Sequence, residues 1–83
     1  FHISSAKRQT ILHRLSSSSP DTVAGSKVTK VDTTEGVRFF LGDESWLLIR
    51  FSGTEPLVRI YAEAESLQRA RELLDEGKKL IGL

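Results

Sequence analysis

Between Arg50 and Arg59 the chain reads Arg-Phe-Ser-Gly-Thr-Glu-Pro-Leu-Val-Arg, an apolar segment that enters a short polar loop and leaves through another. These residue types suit an anion. Ser52, Gly53 and Thr54 offer consecutive backbone N–H donors and two hydroxyls, and glycine permits a positive φ that would turn successive amides toward one charge. A guanidinium is planar, permanently charged and able to grip a phosphate through parallel bonds, so Arg50 and Arg59 would bracket a dianion from both sides. Alternation along a strand puts Arg50 and Ser52 on one face, and the loop is short enough to return Arg59 beside them. The same letters also spell a plain tight turn with solvated arginines, and spacing alone does not separate the two.

Such a loop needs strands to hold it. Residues 46–51 are the most hydrophobic segment, with Leu47, Ile49 and Phe51 on one face and Trp46, Leu48 and Arg50 on the other. The partner strand spans 57–64, where Val58, Ile60, Ala62 and Ala64 face the core and Leu57, Arg59, Tyr61 and Glu63 line the reverse. Val37, Phe39 and Leu41 alternate with Arg38 and Phe40 in a third strand. A fourth covers 27–33; Val28 and Val31 would point to opposite faces of a regular strand, so an edge position or a bulge is expected. Asp43 and Glu44, in the turn before Trp46, are read as solvated because they lack the alternating oxygen ligands of a calcium loop.

Helices close the chain at both ends. Ser4 or Ser5 caps a helix over 4–16 with Ile11, Leu12 and Leu15 on one side, and His13 is read as structural. The serine run 16–19 and Pro20 end it, leaving a polar loop to Ser26. Ser66 caps the last helix, whose apolar series runs from Leu67 to Ile81, with Arg69 and its charged neighbours on a solvated face. Gly77 interrupts that series and marks a close approach to the sheet or the helix end. The predicted fold is α+β in the order α-β-β-β-β-α, a four-stranded antiparallel sheet with both helices on the face lined by Leu47, Ile49, Val58 and Ile60. The reverse face would carry Arg38, Phe40, Trp46, Leu48, Arg50, Arg59 and Tyr61, too apolar for simple solvent and suited to docking on other domains of one parent chain.

Composition bounds the rest. Eighty-three residues, 39% hydrophobic, make one small domain over 1–83. A net charge of +1 gives no sign of a nucleic-acid or acidic-membrane partner. The absence of cysteine removes thiolate metal sites and is compatible with a reducing, cytoplasmic setting. No apolar run is long enough for a membrane span. A chain that lacks methionine and begins at Phe1 is expected to be part of something longer. Aromatic side chains beside arginines also fit a small nucleic-acid-binding sheet, but no RNA-recognition signature accompanies them.

Arg50 to Pro56 followed by Leu-Val-Arg-Ile-Tyr-Ala-Glu resembles the phosphate-binding loop and flanking strands of the α-D-phosphohexomutases, the phosphoglucomutase/phosphomannomutase family. The resemblance implies that the whole chain is the family's C-terminal domain, TATA-binding-protein-like in fold and excised from a four-domain enzyme. It implies that Arg50, Ser52, Gly53, Thr54 and Arg59 hold the phosphate of a phosphosugar that is not being transferred. Phe51 stands where many relatives have proline. The parent would interconvert hexose 1-phosphate and 6-phosphate through a bisphosphorylated sugar, using a phosphoserine, Mg2+ and a hexose 1,6-bisphosphate activator held by other domains. No serine here matches the family's nucleophile motif and no aspartate cluster matches its metal loop, so neither catalytic residue nor metal ligand is expected in this chain, and alone it is expected to be inactive. Tyr61-Ala62-Glu63-Ala64 looks more like the glucose/mannose enzymes than like phosphoglucosamine mutase, which is the alternative.

Overall fold

β4 (Trp46–Phe51) is the strand around which the sheet is built, because its apolar residues have partners on both sides. The computed structural model describes residues 1–17 and 20–82. In it α1 (Ser5–Ser17) precedes β1 (Thr22–Val23), β2 (Ser26–Asp32), β3 (Val37–Leu41), β4, β5 (Val58–Glu63) and α2 (Leu67–Leu80). The strands form an antiparallel meander in the order β1-β2-β3-β4-β5.

The sheet therefore has five strands where four were expected. The additional one, β1, is two residues long and pairs Val23 with Ser26 across Ala24 and Gly25, both at positive φ. Such a turn matches the twist of a two-residue hairpin, but two residues are too few to show a period. The polar loop predicted to reach Ser26 thus ends at β1, while its residues 18–19 lie outside the described part.

Register puts one apolar row after another on the same face. Phe39 opposes Leu47 and Leu47 opposes Ala62; Val37 opposes Ile49 and Ile49 opposes Ile60. Ile11 and Leu15 of α1, with Leu73 of α2 and Ile81 just beyond it, are buried in the same cluster as Phe39, Leu47, Ile49 and Val58, so both helices cover this face. β2 resolves its awkward pattern with a bulge: Val28 opposes Leu41 and Val31 opposes Phe39, a shift that brings both valines to the helix side.

α2 is capped as read, with Ser66 Oγ accepting the Arg69 N–H at 3.1 Å. Leu67 departs from the apolar series and is exposed. Gly77 is where the helix lies closest to the sheet: a Cβ there would stand 2.8 Å from Ile60 Cγ2 and 3.2 Å from Leu47 Cδ1. Alanine would gain about 1 kcal/mol of helix propensity. Overpacking against a stiff β-branched neighbour costs about 1–3 kcal/mol. Gly77→Ala is therefore expected to lower stability by about 1 kcal/mol in urea unfolding, and a net gain would show that helix and sheet separate freely.

The two charged features read as solvated are bonded. Arg69 donates to Asp43, Ser26 and the Ala24 carbonyl, tying α2 to two turns of the sheet. Asp43 also accepts the N–H and hydroxyl of buried Ser45.

Candidate functional site

The loop between β4 and β5 begins where the ladder ends, after the pair Phe51–Val58. Ser52 N–H donates to the Leu57 carbonyl at 3.0 Å and Leu57 N–H to the Glu55 carbonyl at 2.8 Å. Ser52 Oγ accepts the N–H groups of Glu55 at 3.2 Å and Thr54 at 3.4 Å. This corrects the expectation of three amides turned to one anion: those of Ser52 and Thr54 are spent inside the loop. The Leu57 carbonyl closes the turn on the Ser52 N–H, and the serine hydroxyl takes the Thr54 N–H, competing for a nearby amide as a short polar side chain does in turns. Gly53 N–H is the member of the trio with no partner among the described residues. The same geometry leaves the Ser52 hydroxyl its proton, and a hydroxyl that accepts two amides is polarised to donate outward.

Gly53 also departs from the reading, because it is not among the described glycines at positive φ. What distinguishes it is space: no heavy atom lies within 4 Å of where its Cβ would stand.

Arg50 and Arg59 are directly opposed across β4 and β5, both exposed, and neither has an ion pair or hydrogen bond among the described residues. Like charges directly opposite in a sheet repel. They alternate with buried Ile49 and Val58, so they rise from the face turned away from the helices. At the nearby β2–β3 turn, Gly36 sits at φ +139° with Arg50 Cα 3.0 Å from where a Cβ would be, so that turn packs against the base of Arg50 with no room for a side chain.

The chain's first residues brace the loop's exit. Ile3 N–H donates to the Pro56 carbonyl and Val58 N–H to the Phe1 carbonyl, each at 2.8 Å, with His2 bridging Leu57. Arg8, read only as a helix former, reaches the Ser52 carbonyl from α1. It also lines a pocket of about 270 Å³ together with Gly53 and Thr54. Its helical spacing carried no signal of this, since the contact is made across the fold.

Farther along the same face, the Arg38 guanidinium lies 4.7 Å from the Trp46 ring centre and 5.9 Å from that of Phe40, with Leu48 buried beside them and Tyr61 exposed. Arg38 Nε is buried without a partner among the described residues. Among those residues no three of His, Cys, Asp and Glu gather as metal ligands. Asp43, already held by Ser45 and Arg69, does not fit a magnesium site.

Fold and loop together describe a small α+β domain that presents paired arginines and open donors at one end of its sheet. A sequence profile described as "Phosphoglucomutase/phosphomannomutase, C-terminal domain" matches residues 11–79. The chain belongs to that family and corresponds to its C-terminal domain. It is 48% identical to a phosphoglucomutase/phosphomannomutase of Thermococcus kodakarensis over 71% of this chain and 13% of the relative. A "Probable phosphoglucosamine mutase" of Methanopyrus kandleri is 63% identical over 61% of this chain and 11% of the relative. A phosphopentomutase of Thermococcus kodakarensis is 48% identical over 60% and 11%. The chain spans 11–14% of the length of such curated relatives.

Proposed function

We propose that this chain is the substrate-phosphate-binding domain of a phosphohexomutase that interconverts hexose 1-phosphate and 6-phosphate. Arg50, Ser52, Gly53, Thr54 and Arg59 are the residues assigned to the phosphate. The observation that carries this reading is the opposed pair Arg50–Arg59, without a carboxylate partner among the described residues, beside two hydroxyls and a Gly53 amide that likewise has no partner among them. A dianion supplies the charge that the pair lacks, and guanidinium forks suit its oxygens. The relatives' names span hexose, hexosamine and pentose phosphates, whose common chemistry is a phosphate monoester. A loop that contacts only that group serves any of them.

The domain's contribution to the reaction is orientation: fixing the phosphate that does not react places the other end of the sugar before groups supplied elsewhere. The phosphoserine, Mg2+ and hexose 1,6-bisphosphate belong in this reading to the remainder of the parent. The face of Arg38, Phe40, Trp46, Leu48 and Tyr61 docks on that remainder, which would cover its rings. A nucleic-acid role is disfavoured at the same place, because Trp46 Nε1 donates at 2.7 Å to the Glu63 carboxylate, a charge that repels phosphate backbones. The reading carries a cytoplasmic location, since a phosphorylated sugar is a dianion with a high cost of entering a bilayer.

Titrating the isotope-labelled chain with inorganic phosphate or glucose 6-phosphate is expected to move the amide signals of Gly53 and Thr54 first. Saturation is expected at a dissociation constant on the order of millimolar, because an open loop loses most of its gain to association cost and water. Saturating phosphate that leaves residues 50–59 unmoved would reduce the loop to a turn.

A further inference from the structure

Arg8 links α1 to the loop. Arg8 Nη1 donates to the Ser52 carbonyl at 3.3 Å, and its guanidinium carbon lies 5.3 Å from the centre of the Phe51 ring. The two contacts fall on consecutive residues, at the point where β4 ends and the loop begins. A planar guanidinium can lie over a ring by its face while donating from its edge; an ammonium has no such edge. Arg8 is half-buried and has no carboxylate partner among the described residues. It also falls outside the residues matched by the family profile.

The Ser52 carbonyl and the Gly53 N–H are opposite edges of one planar peptide unit. No cis peptide occurs among the described residues, so the two groups point in opposite directions. A cation that draws the carbonyl toward α1, on the helix side of the sheet, therefore aims the N–H toward the other side. That is the face from which Arg50 and Arg59 rise. Without such a hold, glycine lets the peptide rotate, because Gly53 has no Cβ and open space around it.

We propose that Arg8 is a positioning residue: it clamps the Ser52–Gly53 peptide from the helix side, with Phe51 as its platform, so that the Gly53 amide faces the two arginines. Its consequence for ligand binding rests on the phosphate reading; the clamp itself does not. The clamp makes the seating of α1 a determinant of the loop's donor geometry. Arg8 acts on the loop through the Ser52 carbonyl and the Phe51 ring.

The test uses the isotope-labelled chain with inorganic phosphate as probe. In the unliganded chain the Gly53 amide order parameter is expected near that of rigid backbone, about 0.85, and to fall toward about 0.6 in Arg8→Ala and in Arg8→Lys. Both variants are expected to bind phosphate about tenfold more weakly, because a Gly53 amide released from the clamp has to be ordered again by the ligand. Phe51→Leu, which keeps the apolar contact with the core, is expected to lose about threefold. Arg59→Ala is expected to lose the phosphate response while Gly53 stays ordered. Unchanged Gly53 order in both Arg8 variants overturns the clamp. So does an Arg8→Lys chain that binds phosphate as well as the parent sequence, since charge alone would then suffice. A parent sequence with no phosphate response removes the phosphate reading, and the Gly53 order parameters still decide whether Arg8 holds the loop.

Discussion

Arg69→Ala is expected to lower the unfolding free energy by about 3 kcal/mol, a large share of the roughly 5–10 kcal/mol available to a domain of this size. The guanidinium gives Nη1 to the Ala24 carbonyl at 2.7 Å, Nη2 to Ser26 Oγ at 2.6 Å and Nε to Asp43 Oδ2 at 3.1 Å. Its side chain is 17% exposed, so water does not replace those partners when the arginine is truncated. A hydrogen bond to a charged group is worth about 1.5–3 kcal/mol, and the Asp43 share is discounted because that carboxylate is 39% exposed. At about 4–8 °C per kcal/mol the midpoint falls by about 15 °C. Arg69→Lys recovers little, since an ammonium's three donors diverge from one nitrogen and cannot span partners that Arg69 meets with three separate nitrogens. Arg71→Ala, on the exposed side of the same helix, is the control and is expected to stay within about 0.5 kcal/mol.

Acid should reveal the same clamp. Asp43 titrates below its ordinary value, first because of the Ser45 hydroxyl, then the Ser45 N–H, with Arg69 adding to both. A carboxyl with a folded pKa below its unfolded one adds stability that is complete above pH of about 4 and lost as pH falls through the folded value. Asp32 contributes in the same sense through Thr34. Asp43→Asn is therefore expected to flatten part, not all, of the acid limb. An Arg69→Ala chain that melts with the Arg71→Ala control would show that α2 is held by its apolar face alone.

That clamp marks the boundary of what the residues disclosed in advance. Strands β3, β4 and β5 were legible because Val37-Phe39-Leu41, Leu47-Ile49 and Val58-Ile60 alternate, and burial on one face is what alternation records. The cap at Ser66 and the near contact at Gly77 were legible for local reasons. Arg69 and Arg8 were not, because a charged residue at a half-exposed helical position looks the same whether it meets water or a turn brought there by the rest of the chain. β1 was hidden by its length. In the loop, residue types gave the chemistry but not the accounting: of the amides that a count of N–H groups had assigned outward, Thr54's goes to the serine hydroxyl and Ser52's to the Leu57 carbonyl. The opposed arginines were foreseen as neighbours, whereas their lack of a carboxylate partner among the described residues is a property of the fold.

This lack sets the second large effect. Arg59→Ala is expected to leave the unliganded chain as stable as before or more stable by up to about 0.5 kcal/mol, because a like-charged cross-strand pair costs about 0.2–1 kcal/mol. The same substitution is expected to weaken phosphate binding by about 10- to 100-fold, the worth of one charged, forked contact. Loss of binding without loss of stability is the mark of residues held for a ligand against the interest of the fold. Thermal melts read both quantities at once. Phosphate at ten times its dissociation constant stabilises the parent sequence by about 1.4 kcal/mol, several degrees in the midpoint. Sodium chloride at matched ionic strength is the control for screening, which would also relieve the Arg50–Arg59 repulsion. Arg50→Lys keeps the charge and loses the fork, so it should retain the unliganded midpoint and lose most of the phosphate increment. An Arg59→Ala chain that is less stable yet still gains the full increment from phosphate would assign the arginine to the sheet and leave the anion without a site here.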